Sequence, residues 1–411
     1  MADRSRIEWT DATWCPIVAI RKDDGKVGFH CEKVSPACEH CYAETFNKRR
    51  LPARGTGLPY TRSSRDKVTI AIDEPTLLKP LKWRKLRRIF VESTSDLFAD
   101  FVPFEMIDSV FAVMSLCPQH TFQLLTKRPD RMAEWFAHEH RDTIIDAQAF
   151  LIKTEGHIGD YHRDFYAFPI TRLPLPNVWL GATVEDQPRA DERIPHLLRC
   201  PAAVRFLSAE PLLGPIDLNN TIQTALKAMG IEYAGKVNGL GGKPFIHQVI
   251  VGGESGHGAR PMHPDWARSL RDQCKYSGMA FFMKQWGEYC PVREWICREK
   301  ISNQFSWRAQ LHNGSEIQRE PDHVWHYEEH DPKNDSEYAA YRVGKKAAGR
   351  QLDGVEHNEF PSAYGSRTMT CEWCGKELTA FNMAEETVCN DCAFDDAEID
   401  RELMQQEHPE R

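Results

Sequence analysis

Between residues 87 and 287 short apolar runs alternate with stretches of helical periodicity, and that alternation restricts the fold more than any other feature of the chain. The run RRIFVEST (87–94) is followed by FEMIDSVFAVMSLC (104–117), whose Met106, Val110, Val113 and Met114 recur at the spacing of one buried helix face. HTFQLLTKR (120–128) precedes PDRMAEWFAHEH (129–140), which opens with a proline, a residue the first helical turn tolerates. NVWLGATVE (177–185) precedes RADERIPHLLR (189–199), and VRFLSAEPL (204–212) and HQVIVGGES (247–255) read as two further strands. HPDWARSLRDQCKYSG (263–278) reads as a helix stopped by glycine, and AFFMKQWG (280–287) as the last strand. Continuous apolar strands alternating with helices predict a parallel sheet with helices packed outside it. Six or more such strands predict an α/β fold, a partial or full TIM-like barrel. The rival is an open doubly wound sheet, but no G-x-G-x-x-G follows a first strand.

The rest of the chain is organised around this unit. IEWTDATW (7–14) is expected to be a strand or a lid, GKVGFHC (25–31) a short strand, and the run from about 42 to 50 a helix. LPARGTGLPYTRSSRD (51–66) reads as loop and LLKPLKWRKL (77–86) as helix. Residues 138–176 and 219–246 interrupt the alternation and are expected to be insertions forming lids or substrate loops. The barrel is thus assigned to residues 1–290, followed by an irregular extension at 291–370 and a short cysteine-bearing module at 371–392. An acidic tail, 393–411, ends the chain. Aromatic residues in the extension, among them Trp307, Trp325 and Tyr341, need burial and argue against full disorder there.

Charge narrows the classes of partner. The net charge of −8 excludes a global basic footprint for nucleic acid. Locally, residues 44–88 hold thirteen Lys and Arg against four acids, which suits either a phosphate backbone or a solvated face. Residues 371–411 hold twelve acids against three basic residues. The N-terminus is charged and lacks the apolar stretch of a signal peptide, and no apolar run reaches bilayer-spanning length, so no membrane partner and a cytoplasmic setting are expected. Thirteen cysteines in that setting argue for metal or redox chemistry ahead of disulfides.

Two cysteine groups stand out. Cys31, Cys38 and Cys41 form C-x6-C-x2-C ahead of a helix. Three thiolates so close in sequence suit three irons of a [4Fe–4S] cluster with the fourth iron open, a zinc site completed by His30 or His40, or three buried thiols without a metal. Cys371-x2-Cys374 and Cys389-x2-Cys392 have the ligand count and spacing of a closed tetrahedral zinc site, a ribbon whose metal is structural.

The ordered series IEWTDATWCP (7–16), the cysteine loop with Tyr42 beside it, STSDLF (93–98), LLTKRP (124–129), WLGATVE (179–185), FLSAEPLLGPI (206–216), VGGESGHGARP (251–261) and FFMKQWGE (281–288) resembles a three-cysteine-motif family of phages and bacteria. That family is radical SAM-like and distantly similar to spore photoproduct lyase. The cysteine spacing looks like a lengthened form of the usual C-x3-C-x2-C signature. The resemblance implies a radical SAM barrel, a [4Fe–4S] cluster on Cys31, Cys38 and Cys41, and S-adenosylmethionine bound to the open iron. It implies a 5′-deoxyadenosyl radical that abstracts hydrogen from the substrate. It also implies roles for polar residues at the strand ends, which in a parallel barrel converge on one mouth. Glu92 and Ser93 would take the ammonium group of the cofactor, and Lys127, Arg128 and Glu185 its carboxylate and ribose. Glu210, Glu254 and Lys284 would face the substrate; the alternative at any one of the strand-end positions is a salt bridge with another of these groups. The substrate implied is a nucleobase, in a DNA hypermodification step such as isomerisation of a thymidine already carrying an amino-acid group. Partners implied are DNA or a nucleotide, a flavodoxin or ferredoxin as electron donor, and a separately encoded protein. The alternatives are a DNA-repair lyase, and a zinc-stabilised nucleic-acid- or partner-binding protein without catalysis.

Overall fold

A computed structural model describes Ser5 and residues 7–48, 55–138, 141–155, 173–231, 245–291 and 339–361, together with short strands at 324–326, 369–370, 377–378, 383–385 and 388–389. The chain enters through β1 (Ala12–Trp14) and builds a small antiparallel sheet from β2 (Ile17–Arg21), β3 (Val27–Gly28) and β4 (Val68–Ile72). Between β3 and β4 lie α1 (Tyr42–Lys48) and α2 (Arg62–Arg65), and α3 (Glu74–Leu77) follows β4. The alternating unit then runs β5 (Arg88–Val91), α4 (Phe104–Ser115), β6 (Thr121–Thr126), α5 (Pro129–Phe136), α6 (Arg141–Glu155), β7 (Val178–Thr183), α7 (Gln187–Arg199), β8 (Val204–Ala209), α8 (Leu218–Ala228), β9 (Gln248–Gly252), α9 (Pro264–Ser277) and β10 (Ala280–Gln285).

Seven strands form one parallel sheet in the order β1–β5–β6–β7–β8–β9–β10. From β5 onward spatial order follows chain order without reversal, whereas a doubly wound sheet reverses at a switch point. The sheet therefore curls as a half-barrel, compatible with a partial TIM-like barrel, with β1 and β10 as its outermost strands.

The strands bury both faces, which is why they read as continuous apolar runs. One face packs Val91, Leu124, Leu180, Leu207, Val251 and Met283 against the helices. The other carries Phe90, Phe206, Ile250 and Phe282, covered by Trp9 from the N-terminal segment and Phe360 from the extension. The Trp9 ring centroid lies 4.7 Å from that of Phe90 and 6.1 Å from that of Phe206. The hollow of the half-barrel is therefore floored with aromatic rings. Gly181 makes room for them, since a Cβ there would lie 2.5 Å from the Phe206 ring.

Two expectations change. LLKPLKWRKL is not one helix: α3 ends at Leu77, a 3-10 turn covers Pro80–Lys82, and the rest is non-helical. Pro80 lacks the N–H that an α-helix continuing through it would need. Residues 219–228 are not an insertion but part of α8, the crossover helix between β8 and β9. The Asp217 side chain caps it by accepting from the Asn220 N–H at 3.0 Å, and Leu218, Ile222, Ala225 and Leu226 are its buried stripe. Within 138–176, α6 packs on α4; residues 156–172 and 232–244 lie outside the described residues.

The described part of the extension buttresses the β10 edge. β11 (Tyr289–Pro291), β12 (Val324–His326) and β13 (Ala339–Arg342) pair antiparallel. Farther on, the Gln248 amide donates to the Glu359 carbonyl at 2.8 Å and the Trp286 indole to the Gln351 carbonyl at 2.7 Å. Around the segment expected to form a ribbon, two short antiparallel pairs are described, Met369–Thr370 with Glu377–Leu378 and Met383–Glu385 with Val388–Cys389. Cys371, Cys374, Cys392 and the acidic tail lie outside the described residues, as does the Cys389 side chain. Among the described residues no helix is long and apolar enough to cross a membrane.

Gly181→Ala forces its new methyl into the Phe206 ring, a contact inside a packed cluster that cannot yield freely. Denaturant unfolding should show a loss of about 1–3 kcal/mol, recovered in part by adding Phe206→Leu. An unchanged midpoint would show that this face is loosely packed.

Candidate active site

The C-terminal ends of the parallel strands form one rim, and the cysteine loop lies against it. Cys15 follows β1, and its buried Sγ sits 3.4 Å from the Ser93 hydroxyl. After β5, Glu92 adopts a left-handed backbone (φ 54°), uncommon for a residue with a Cβ. Its surroundings fix it there. The Glu92 N–H donates to the Trp14 carbonyl at 2.9 Å, and its carboxylate accepts from the Ile17 N–H at 2.8 Å and from the Ser95 hydroxyl. Burial pushes the Glu92 carboxyl up to about 8 against the pull of those donors. Asp96, also buried, accepts from the Thr126 hydroxyl at 2.7 Å, the Lys127 N–H at 3.1 Å and the Arg128 guanidinium at 2.9 Å.

Two arginines fasten the cysteine loop to this rim. Arg128, beyond β6, also donates to the Glu32 carbonyl at 3.1 Å, next to Cys31. Arg260, between β9 and α9, grips both oxygens of Glu254 at 2.7 Å, and reaches the Pro36 carbonyl at 3.0 Å and the Glu39 carboxylate at 3.2 Å. Charge-assisted, forked contacts of this kind are strong and directional. Two tyrosines complete the attachment: Tyr42 donates to the Ser93 carbonyl at 2.6 Å and Tyr60 to the Thr94 carbonyl at 2.7 Å.

Cys31, Cys38 and Cys41 are free thiols, partly buried. Burial pushes the Cys31 thiol up to about 12; Asp96 adds to this, Arg128 opposes it, and the Cys38 and Cys41 thiols add further. The Cys31 sulfur thus feels the other two of the three sulfurs. They are not drawn onto one point: among the described residues no three His, Cys, Asp or Glu side chains are gathered to hold a metal ion. The histidines weighed as completing ligands are placed elsewhere. His30 faces Glu32 at 3.6 Å and the Phe101 ring, and the His40 ring lies against Gly258.

The other expected residues separate into two sets. Glu210 and Lys284 come together at 2.9 Å, and the Ser208 hydroxyl donates to the same carboxylate at 3.2 Å. Gly252 permits this, since a Cβ there would lie 2.4 Å from the Glu210 carboxylate. Glu254 does not join them; it anchors Arg260. Glu185 is wholly enclosed and pairs with Arg193 at 2.8 Å. Glu92 and Arg128 are likewise engaged with protein groups, and Ser93 offers its hydroxyl to Cys15 and its carbonyl to Tyr42. The Lys127 ammonium has no ion pair among the described residues. Arg260 and Cys15 were not singled out from the sequence, although both lie within its motif runs.

A protein family described as "Protein of unknown function (DUF5131)" matches residues 4–361. The chain belongs to the DUF5131 family. The match takes in the half-barrel, the cysteine loop and the described strap of the extension, and stops before the C-terminal cysteines. No curated protein and no solved structure matches this DUF5131 chain.

Two outcomes follow for this DUF5131 rim. A carboxyl raised from its ordinary 4.5 to about 8 favours the protonated form in the folded state. Its contribution to stability is full below about pH 4.5 and is lost as pH rises toward 8. Glu92→Gln, which keeps an acceptor for Ile17 and gives Ser95 a donor, should flatten that fall by a few degrees of melting temperature; parallel wild-type and variant profiles would contradict it. Arg260→Ala should free the loop, so that iodoacetamide alkylates Cys31, Cys38 and Cys41 several-fold faster, with Arg260→Lys intermediate because lysine lacks the fork. Equal rates by mass spectrometry would rule the tether out.

Proposed function

We propose that the protein is a radical S-adenosylmethionine enzyme acting on a nucleobase in DNA hypermodification, for example isomerisation of a thymidine that already carries an amino-acid group. The observation that carries this reading is the three-thiol loop tied across the C-terminal rim of a parallel half-barrel by Arg128 and Arg260.

Cys31, Cys38 and Cys41 would hold three irons of a [4Fe–4S] cluster. The donors fit such a group in softness, nearness in the chain and position at the rim. Closing them on one centre takes a rearrangement within the loop, because the sulfurs are not gathered. With S-adenosylmethionine, such a cluster supplies one-electron reduction and hydrogen abstraction from an unactivated carbon. Lys127, with no ion pair among the described residues, is the rim group available to the cofactor's carboxylate. Glu92, Arg128 and Glu185 shape the rim through their protein partners. Glu210 and Lys284, one acceptor and one donor 2.9 Å apart, can meet the edge of a heterocycle and hold a proton between them. The aromatic floor of Trp9, Phe90 and Phe206 keeps water from beneath the mouth. A base would have to be flipped out of a duplex or presented on a single strand. A flavodoxin or ferredoxin would supply electrons, and Cys371, Cys374, Cys389 and Cys392 would hold a structural zinc.

Anaerobic reconstitution with iron and sulfide tests the reading. A brown protein absorbing at about 400 nm is expected, with dithionite-dependent cleavage of S-adenosylmethionine and loss of both in Cys38→Ala. A colourless protein carrying two zinc ions would overturn it.

A further inference from the structure

Two sets stand out among the described cations of residues 44–88. Lys48, Arg65 and Arg88 are held in ion pairs with Glu44, with Glu32 and Asp100, and with Asp11. Lys79, Lys82, Arg84 and Lys85 have no ion pair among the described residues, and no acid occurs anywhere from 75 to 91. Lys82, Arg84 and Lys85 are exposed, as are Leu81 and Leu86 between them. The run is not loosely attached. The Arg87 guanidinium stacks 4.7 Å from the Trp83 ring, whose other neighbour is the buried His120 at 6.0 Å. It leads into β5 at Arg88, hence at the N-terminal end of the strands, opposite the cysteine loop. Four to six residues of strand at about 3.3 Å each separate the two ends by roughly 13–20 Å.

We infer that residues 79–87 form a docking surface for the phosphodiester backbone of a nucleic acid, distinct from the rim. Ion-paired lysines and arginines are ordinary solubilising charge, but a rigidly based row in which Lys79, Lys82, Arg84 and Lys85 have no ion pair among the described residues is a site of positive potential. The chain as a whole is acidic, with a net charge of −8 that already includes these cations, so a polyanion is repelled elsewhere and admitted here. Two leucines are too little apolar surface to seat the chain on a bilayer, whereas cations predominate and the guanidinium fork of Arg84 matches phosphate. The rival occupant within the chain is its own segment 371–411, with twelve acids against three basic residues.

The test is fluorescence anisotropy of the full-length protein with a labelled 20-base-pair duplex over a range of salt. Lys82→Glu/Arg84→Glu/Lys85→Glu should weaken binding at least tenfold and make the log–log salt slope shallower by about 2–3, at roughly 0.9 per phosphate contact, with an unchanged melting temperature. No binding by wild type, or equal affinity and slope for the two proteins, overturns the inference. So does a variant that loses phosphatidylserine vesicles or polyglutamate but keeps DNA. None of these readings needs a cluster, so the inference can fail while the catalytic reading stands, or the reverse.

Discussion

One guanidinium holds together parts of the chain more than two hundred residues apart. Arg260 and Glu39 are 221 positions from each other in sequence, yet Arg260 joins the turn after β9 to the cysteine loop after β3. The loop has little regular structure of its own, only the 3-10 turn at Pro36–Cys38. Its position is therefore imposed from outside, by Arg260 on one flank and Arg128 on the other. Each arginine is in turn fixed by a buried carboxylate, Glu254 or Asp96. The geometry of the candidate site descends from those two carboxylates, which the parallel sheet aims at the same rim.

The rim is nearly neutral. Asp96 meets Arg128, Glu185 meets Arg193, Glu210 meets Lys284 and Glu254 meets Arg260. Buried charges left unpaired would be costly, so the pairing is what permits so many ionisable groups in one mouth. It also limits what can enter. A charged ligand must find Lys127 or break an existing pair. A neutral heterocycle need only exchange hydrogen bonds at Glu210 and Lys284, which suits a nucleobase better than a polyanion. Phosphates would instead meet the cations at the far end of the strands, Lys82, Arg84 and Lys85, which have no ion pair among the described residues.

The strand–helix alternation was legible because both periods are local. Val110, Val113 and Met114 lie within two turns of one another, and Gly278 announces its own left-handed stop (φ 69°). The α8 helix was obscured because its apolar stripe sits beside a glycine-rich stretch, and its cap at Asp217 falls just before the break in pattern. The 77–86 run misled because leucine and lysine favour helix while Pro80 forbids it. At the site, residue types were legible and partners were not. Glu254 read as a substrate-facing acid because nothing local reveals Arg260, six residues on, folding back onto it. Glu92 and Arg128 read as ligand groups for the same reason: burial and long-range pairing are properties of the fold, not of a window of sequence.

The thiols carry the remaining physics. Cys31, pushed up to about 12, is protonated at neutral pH, and its neighbours Cys38 and Cys41 add to that push. As thiols the three have only weak bonds to draw them together; as thiolates they would repel. The three are dispersed within one loop. A positive, thiophilic centre reverses both terms, attracting the sulfurs and displacing their protons. Arg128 favours that change at Cys31 by supplying positive charge beside it. The arginine tethers fix the loop at Glu32 and Pro36 through their carbonyls and at Glu39 through its carboxylate, a stretch that Cys31 precedes, Cys38 lies within and Cys41 follows. What sets these three thiols apart from the buried, isolated thiols of Cys117, Cys200 and Cys274 is that one tethered loop carries all of them at the rim, so that a metal centre would require only that loop to rearrange.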